Sequence, residues 1–319
     1  MRTRRRERSE CFSMFAGESR MSGEDAERMS GLRRTTEYRQ DGSAWLLRAA
    51  CLALLAVILL AMTACGKKNK TNATTSVTPD PAVSATHGED EDETEPALRP
   101  EAQEIYQLQL PSQGELCAEL VIDGYGSIFV RLFTEDARKA VENFKTLAES
   151  GMYDGIRINR VVADYMFQAG DKEGLGVSGN SIYGGGFANE ISERLQPIRG
   201  ALCMANLGED STNTNQFFFV QTKASVVRSL KDPLDNRYHL TVEDYLKEAY
   251  GTELTAEQLA LYETYGGAPW LYGHNTVFGQ IYEGYEVMDA IMPTKVTSKL
   301  RPNPSIVISK VRVFHYGEK

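Results

Sequence analysis

The chain has 319 residues, 42% of them hydrophobic and 25% charged, enough for a soluble core and for more than one domain. Residues 1–64 carry eleven Arg against eight Asp or Glu, while the remainder carries 24 basic against 36 acidic side chains, a balance of −12. A body that acidic is a poor candidate for gripping nucleic acid or an anionic membrane surface through its own charge.

The first element is an unbroken apolar run of 14 residues, Ala49 to Met62, preceded by Arg48 and the Arg33-Arg34 pair. It is short for a membrane span, which needs ~20 apolar residues, and matches the apolar segment of a secretory signal. Met62-Thr63-Ala64-Cys65-Gly66 follows it and resembles a bacterial lipobox, with Met62 in place of the usual Leu. Residues 1–64 are therefore expected to be a charged preamble and lipoprotein signal, with Cys65 as the lipidated residue. An uncleaved signal or a plain anchor is the alternative. Residues 65–104 read as a tether: Thr, Asn and Ser, two X-Pro steps at Pro79 and Pro81, and the acidic run Glu89 to Glu95 cannot support a packed core. The expected location is the outer face of the cell membrane.

The folded body is expected over 105–319. Leu116 to Ile122 alternates, Asp123-Gly124 marks a turn, and Ser127 to Phe133 reads as the return strand of a hairpin. Thr134 is placed to cap a helix whose apolar residues Ala137, Ala140, Val141, Phe144 and Leu147 recur at spacings of three and four, ended by Gly151. Short strands with Gly-rich turns follow, then a helix over 285–292 stopped by Pro293, and a last strand over 306–314. This pattern predicts a mainly β fold: a closed antiparallel barrel capped by two helices. Between them, 222–269 is an insertion in which Thr241-Val242-Glu243-Asp244 and Thr255-Ala256-Glu257-Gln258 carry capping-box spacing, predicting helices over 242–250 and 256–265. The five cysteines and four histidines form no CxxC pair or metal-ligand spacing, so no metal site is expected.

Four segments in order carry a resemblance: Asn159 to Asp171 (NRVVADYMFQAGD), Gly179 to Phe187 (GNSIYGGGF), Met204 to Gly208 with Thr212 to Phe218 (TNTNQFF), and Trp270 to Gly279 (WLYGHNTVFG). With Glu142-Asn143-Phe144 they resemble the cyclophilin family of peptidyl-prolyl cis-trans isomerases over about residues 115–316, outside the insertion. The resemblance implies an eight-stranded barrel and an enzyme that turns X-Pro bonds, here assisting the folding of exported proteins. Such a reaction breaks no bond and needs neither nucleophile, metal nor cofactor.

On the matching positions, the resemblance makes Arg160 the catalytic arginine and Gln168 its orienting partner. Tyr165, Met166, Phe218 and Leu271 are the implied proline pocket, and Ala205 lines the groove. Asn206 and Gln216 lie near the substrate backbone, Trp270 is a rim aromatic, and Asn275 is also implied to bind substrate. Phe217 and Phe278 read instead as core. The sequence departs from many relatives at Asn159 and Asn275, which replace histidines, and at Tyr165, which replaces Phe and brings a hydroxyl that needs a partner. The expected partners are proline-containing polypeptides, with the chain itself a monomer. The competing expectation is a non-catalytic module that binds such polypeptides. The insertion is expected beside the groove, either shaping one wall or as a surface embellishment.

Overall fold

Alternating burial along the first two strands follows from side chains that point to opposite faces at successive positions. A computed structural model describes residues 100–318, apart from 175, 177, 178, 209, 232, 233 and 235–239. The apolar run, Cys65 and the acidic tether lie outside the described residues. Strands β1 (Leu116–Ile122) and β2 (Gly126–Leu132) form the expected hairpin. The short strands are β3 (Ile156–Arg157), β4 (Arg160–Val162), β5 (Met166–Ala169), β6 (Ala201–Met204) and β7 (Phe217–Val220). Two longer ones, β8 (Val277–Glu283) and β9 (Val307–His315), complete a curled antiparallel sheet in the order β3-β9-β1-β2-β8-β6-β7-β5-β4.

The sheet thus has nine strands where eight were expected, and its two end strands have no ladder between them. They are neighbours along the chain, separated by Ile158 and Asn159. The Ile158 N–H donates to the Ile306 carbonyl, towards β9, and the Asn159 N–H donates to the Gln168 carbonyl, towards β5.

The concave side holds the main core, where Leu120, Ile128, Val130, Phe167, Phe217, Phe219 and Phe278 are all nearly inaccessible. Helix α1 (Arg138–Glu149) lays Phe144 on this core, its ring 5.4 Å from Phe217 and 5.5 Å from Phe278. Both phenylalanines are core residues, as expected. The start of α1 differs from expectation. The N-cap is Ala137, which offers no side-chain acceptor, and Thr134 does not cap. The N–H groups of Lys139 and Ala140, in the first turn of the helix, donate instead to the two carboxylate oxygens of Glu190, at 3.0 and 2.9 Å. A carboxylate there satisfies two orphan donors and opposes the positive end of the helix dipole.

Helix α2 (Ala224–Arg228) opens the insertion, and α3 (Val242–Tyr250) and α4 (Ala256–Tyr265) occupy the expected spans. Thr241 and Thr255 each accept the N3 backbone N–H, and Gln258 completes the second box. Helix α4 reconnects through Gly267, whose φ of +133° brings its backbone so close to Ile198 that a Cβ would lie 2.5 Å from the Ile198 Cα. Only glycine fits there. Helix α5 (Tyr285–Ile291) lies where the second capping helix was expected.

Pro100 opens a 3-10 turn that runs to Glu104, followed by another at Tyr106–Leu108. Ala102 and Leu108 join Ile198, Val227, Tyr262 and Tyr265 in a separate small core. Buried Gln107 donates to the Gln196 carbonyl at 2.8 Å and to Gln280 Oε1 at 2.9 Å, and accepts from the Gln196 N–H at 2.7 Å. The Tyr106 ring lies between the guanidinium groups of Arg131 and Arg194, 5.0 and 4.2 Å from its centroid. The segment is a strap that fastens α4 to the sheet.

Candidate active site

Three ladders place one row of residues across four strands. Arg160 on β4 is directly opposite Gln168 on β5, Gln168 is opposite Phe218 on β7, and Phe218 is opposite Cys203 on β6. Directly opposed residues point to the same face, so this row shares the convex face with Met166, two positions from Gln168. The alternate residues Val161, Phe167, Phe217 and Leu202 all point into the main core. Four short strands therefore separate a packed interior from a chemically distinct outer row.

That outer row borders a second apolar cluster. Met166, Phe218, Leu271, Cys203 and Val220 are buried in it, with Tyr165, Ala205 and Trp270 packed at its edge and half-buried. Tyr165 and Trp270 meet with ring centroids 5.6 Å apart, tilted by 52°. Burial pushes the Tyr165 phenol up to about 12, opposed by a hydrogen bond from the Trp270 indole and by the positive charge of Arg160. The hydroxyl that this chain adds at position 165 therefore has its partner, and Arg160 is near enough to feel it. Burial also lowers the Arg160 guanidinium from its ordinary value, though arginine stays protonated at physiological pH.

The polar positions are less uniform. Gln168 Nε2 donates to Gln216 Oε1 at 2.9 Å, and the Gln216 carbonyl accepts from the Ala205 N–H at 3.0 Å. Asn206 has a committed amide: Nδ2 donates to the His274 carbonyl at 2.8 Å and to Asn189 Oδ1 at 3.2 Å, while Oδ1 accepts from the Gly208 N–H. Asn275 is buried and donates to the Met204 carbonyl at 3.1 Å. Its side chain braces the wall from within. A groove of about 570 Å³ lined by Tyr106, Arg131, Glu135, Arg138 and Lys145 contains none of the expected site residues.

The family model for "Cyclophilin type peptidyl-prolyl cis-trans isomerase/CLD" matches residues 117–313. The chain belongs to this family. Proteins of Staphylococcus aureus strain USA300 and Staphylococcus epidermidis, named as candidate peptidyl-prolyl cis-trans isomerases, are 39% and 38% identical over 188 residues. Each match covers 59% of this chain and 87% of the relative. A Cryptosporidium parvum cyclophilin, crystallised in the presence of the dipeptide Ala-Pro, is 24% identical, with a TM-score of 0.47 over 62% of this chain and 98% of that one. With the family model and the staphylococcal relatives agreeing, the present chain is a peptidyl-prolyl cis-trans isomerase.

Several residues that hold the cyclophilin site together escape sequence reasoning. Asn143 of α1 is fully buried, donating Nδ2 to the Thr214 carbonyl at 2.7 Å and accepting the Ile182 N–H at 2.9 Å. It ties the helix to both Gly- and Asn-rich loops, one of which leads directly into Gln216. Asn189 gathers Asn206, Asn213 and the His274 carbonyl around one amide. Asn143 sits in a segment marked by resemblance and Asn189 just beyond one, but nothing local announces their partners. At Gly170, where φ is +109°, a Cβ would lie 2.4 Å from the Asn215 carbonyl, so glycine lets the β5 end and the Gln216 loop close up. The insertion reaches the rim itself: Tyr250 of α3 packs on Trp270 at 6.4 Å, and the Thr252 hydroxyl donates to the Trp270 carbonyl at 3.3 Å.

Proposed function

We propose that Arg160 drives rotation about an X-Pro bond whose proline ring rests against Tyr165, Met166, Phe218 and Leu271. Amide resonance sets a barrier of about 18–20 kcal/mol. Twisting the bond localises a lone pair on the prolyl nitrogen, and a charged donor aimed there gains more at the twisted geometry than at the planar one. The observation that carries the assignment is the ladder row. Arg160 lies opposite Gln168 and on the same face as Met166 and Phe218, so one backbone register brings guanidinium and apolar slot together. Gln168 and Gln216, already bonded to each other, position the guanidinium and meet the substrate backbone. Asn206 takes part through its main chain, because its amide is committed elsewhere. Ala205 and Trp270 line the groove, and Asn275 supports its wall.

The test is a protease-coupled or exchange-NMR assay on an Xaa-Pro peptide. Arg160→Ala should lose about 10²–10³ in kcat/KM, the scale for removing one preorganised donor. A loss below threefold would discard the role given to Arg160.

The proposed substrates are proline-containing segments of exported polypeptides. The proposed setting is the outer face of the cell membrane, with Cys65 lipidated and the chain monomeric. The run Ala49 to Met62 followed by Met62-Thr63-Ala64-Cys65 supports this. Cys65→Ser should move the protein from the membrane fraction to the soluble one, and an unchanged distribution would dismiss the anchor. Residues 156–162 are proposed to act as one strand that closes an eight-stranded barrel. The N–H bonds of Ile158 and Asn159 to opposite neighbours favour it.

A further inference from the structure

We propose that Tyr250 of the insertion determines sequence preference, extending the proline pocket with a shelf that takes an aromatic side chain of the substrate near the proline. The inference rests on the pocket assignment above and adds a residue that lies outside it.

The insertion ends one residue before Trp270, so its last contacts bear directly on the rim. Helix α3 stops at Tyr250: Gly251 adopts φ +69°, its N–H bonds to Lys247 O, and the Thr252 N–H bonds back to Leu246 O. This is a tight left-handed helix stop. Buried Thr252 then donates its hydroxyl to the Trp270 carbonyl. The helix end is thereby braced against the turn Pro269–Leu271 that carries the rim.

Four rings follow one another from the insertion into the pocket. Tyr245 meets Tyr250 edge-on at 5.9 Å, Tyr250 meets Trp270 at 6.4 Å and 34°, and Trp270 meets Tyr165 at 5.6 Å. All four are half-buried rather than buried. Core aromatics of this protein such as Phe167, Phe217 and Phe278 are sealed, whereas every residue of this row is partly exposed. Spacings of 5.6 and 6.4 Å carry it the reach of about three extended residues, at roughly 3.3–3.6 Å each. A polypeptide whose proline occupies the pocket beside Leu271 brings a neighbour within about three positions over Tyr250. Aromatic pairs add attraction beyond the area they bury, which selects an aromatic neighbour over glycine.

The experiment uses the full chain and a host peptide with one proline, carrying Phe or Gly at each of the three positions on either side. The readout is the ratio of kcat/KM for Phe over Gly, from exchange NMR. The wild type should prefer Phe at one position, and Tyr250→Ala should lower that ratio about two- to tenfold. Tyr250→Phe should keep it. Tyr250→Leu, which preserves apolar bulk where the alanine variant fails to fold, should lower it partway. A merely structural brace would slow Phe and Gly peptides in parallel and leave the ratio intact, which would overturn the proposal. So would a wild type without positional preference. Should the wild type bind these peptides without turning them over, the role of Arg160 fails separately, and the same ratios taken from Kd decide the role of Tyr250.

Discussion

Replacing Asn143 by Leu should cost this cyclophilin about 3 kcal/mol of stability. The side chain is fully buried and makes two hydrogen bonds, 2.7 Å to the Thr214 carbonyl and 2.9 Å from the Ile182 N–H. Each neutral bond is worth about 0.5–1.5 kcal/mol, and a partner left buried without water costs about 1–3 kcal/mol. Thr214 and Ile182 are both half-buried, which places the sum mid-range. In a folded body of this size, that is about 6–12 °C in Tm. Asn143→Asp is the sharper variant. Its ionised carboxylate still accepts from Ile182 but faces the Thr214 carbonyl with no hydrogen to offer. Protonated, it donates and restores both bonds. The Asp variant should therefore be markedly closer to wild type at pH 4.5 than at pH 8, when each is compared with wild type at the same pH. Urea denaturation at both pH values measures this, and kcat/KM should fall with it because Thr214 leads into Gln216. A Leu variant within 0.5 kcal/mol of wild type, or an Asp variant indifferent to pH, would refute the reasoning.

Removing the remote cap of α1 with Glu190→Ala should cost about 1–2 kcal/mol, and Glu190→Gln about half, read as urea midpoints. Alkaline pH should weaken the fold in a set order. Burial raises the Cys117 thiol from 9.0 to about 11 and the Tyr165 phenol from 10.0 to about 12, so the folded state holds protons that the unfolded chain releases. Stability is then complete below pH 9 and falls between pH 9 and 12; a melting temperature flat over that window would contradict it. Cys117 and Cys203 are buried and unpaired with each other, so both should resist alkylation at pH 8 until denaturant is added, as peptide mapping by mass spectrometry can check.

Local signals were legible and remote ones were not. The first hairpin and both insertion helices fall where alternation and capping boxes put them, because each signal is complete within a few residues. Thr134 misleads for the opposite reason. The helix starts four residues after it, at Arg138, and a carboxylate 50 residues further along than Ala140 takes the N–H groups of its first turn. The pocket was reached through resemblance, and the ladders explain why scattered positions 160, 168, 203 and 218 act as neighbours. The strap was missed because Ala102, Gln107 and Leu108 form no period, and three of their burial partners lie on an insertion far along the chain. Tyr250 meeting Trp270 was equally hidden, since a helix sequence does not say what its end will touch.

The strap also decides how a mechanical load would travel. A pull on the backbone preceding Pro100 meets the Gln107 bonds to Gln196 and Gln280, and the Tyr106 ring clasped by two arginines, before any tension reaches β1. These contacts would act as a strain relief, so that tugging there leaves the face that carries Arg160 at rest.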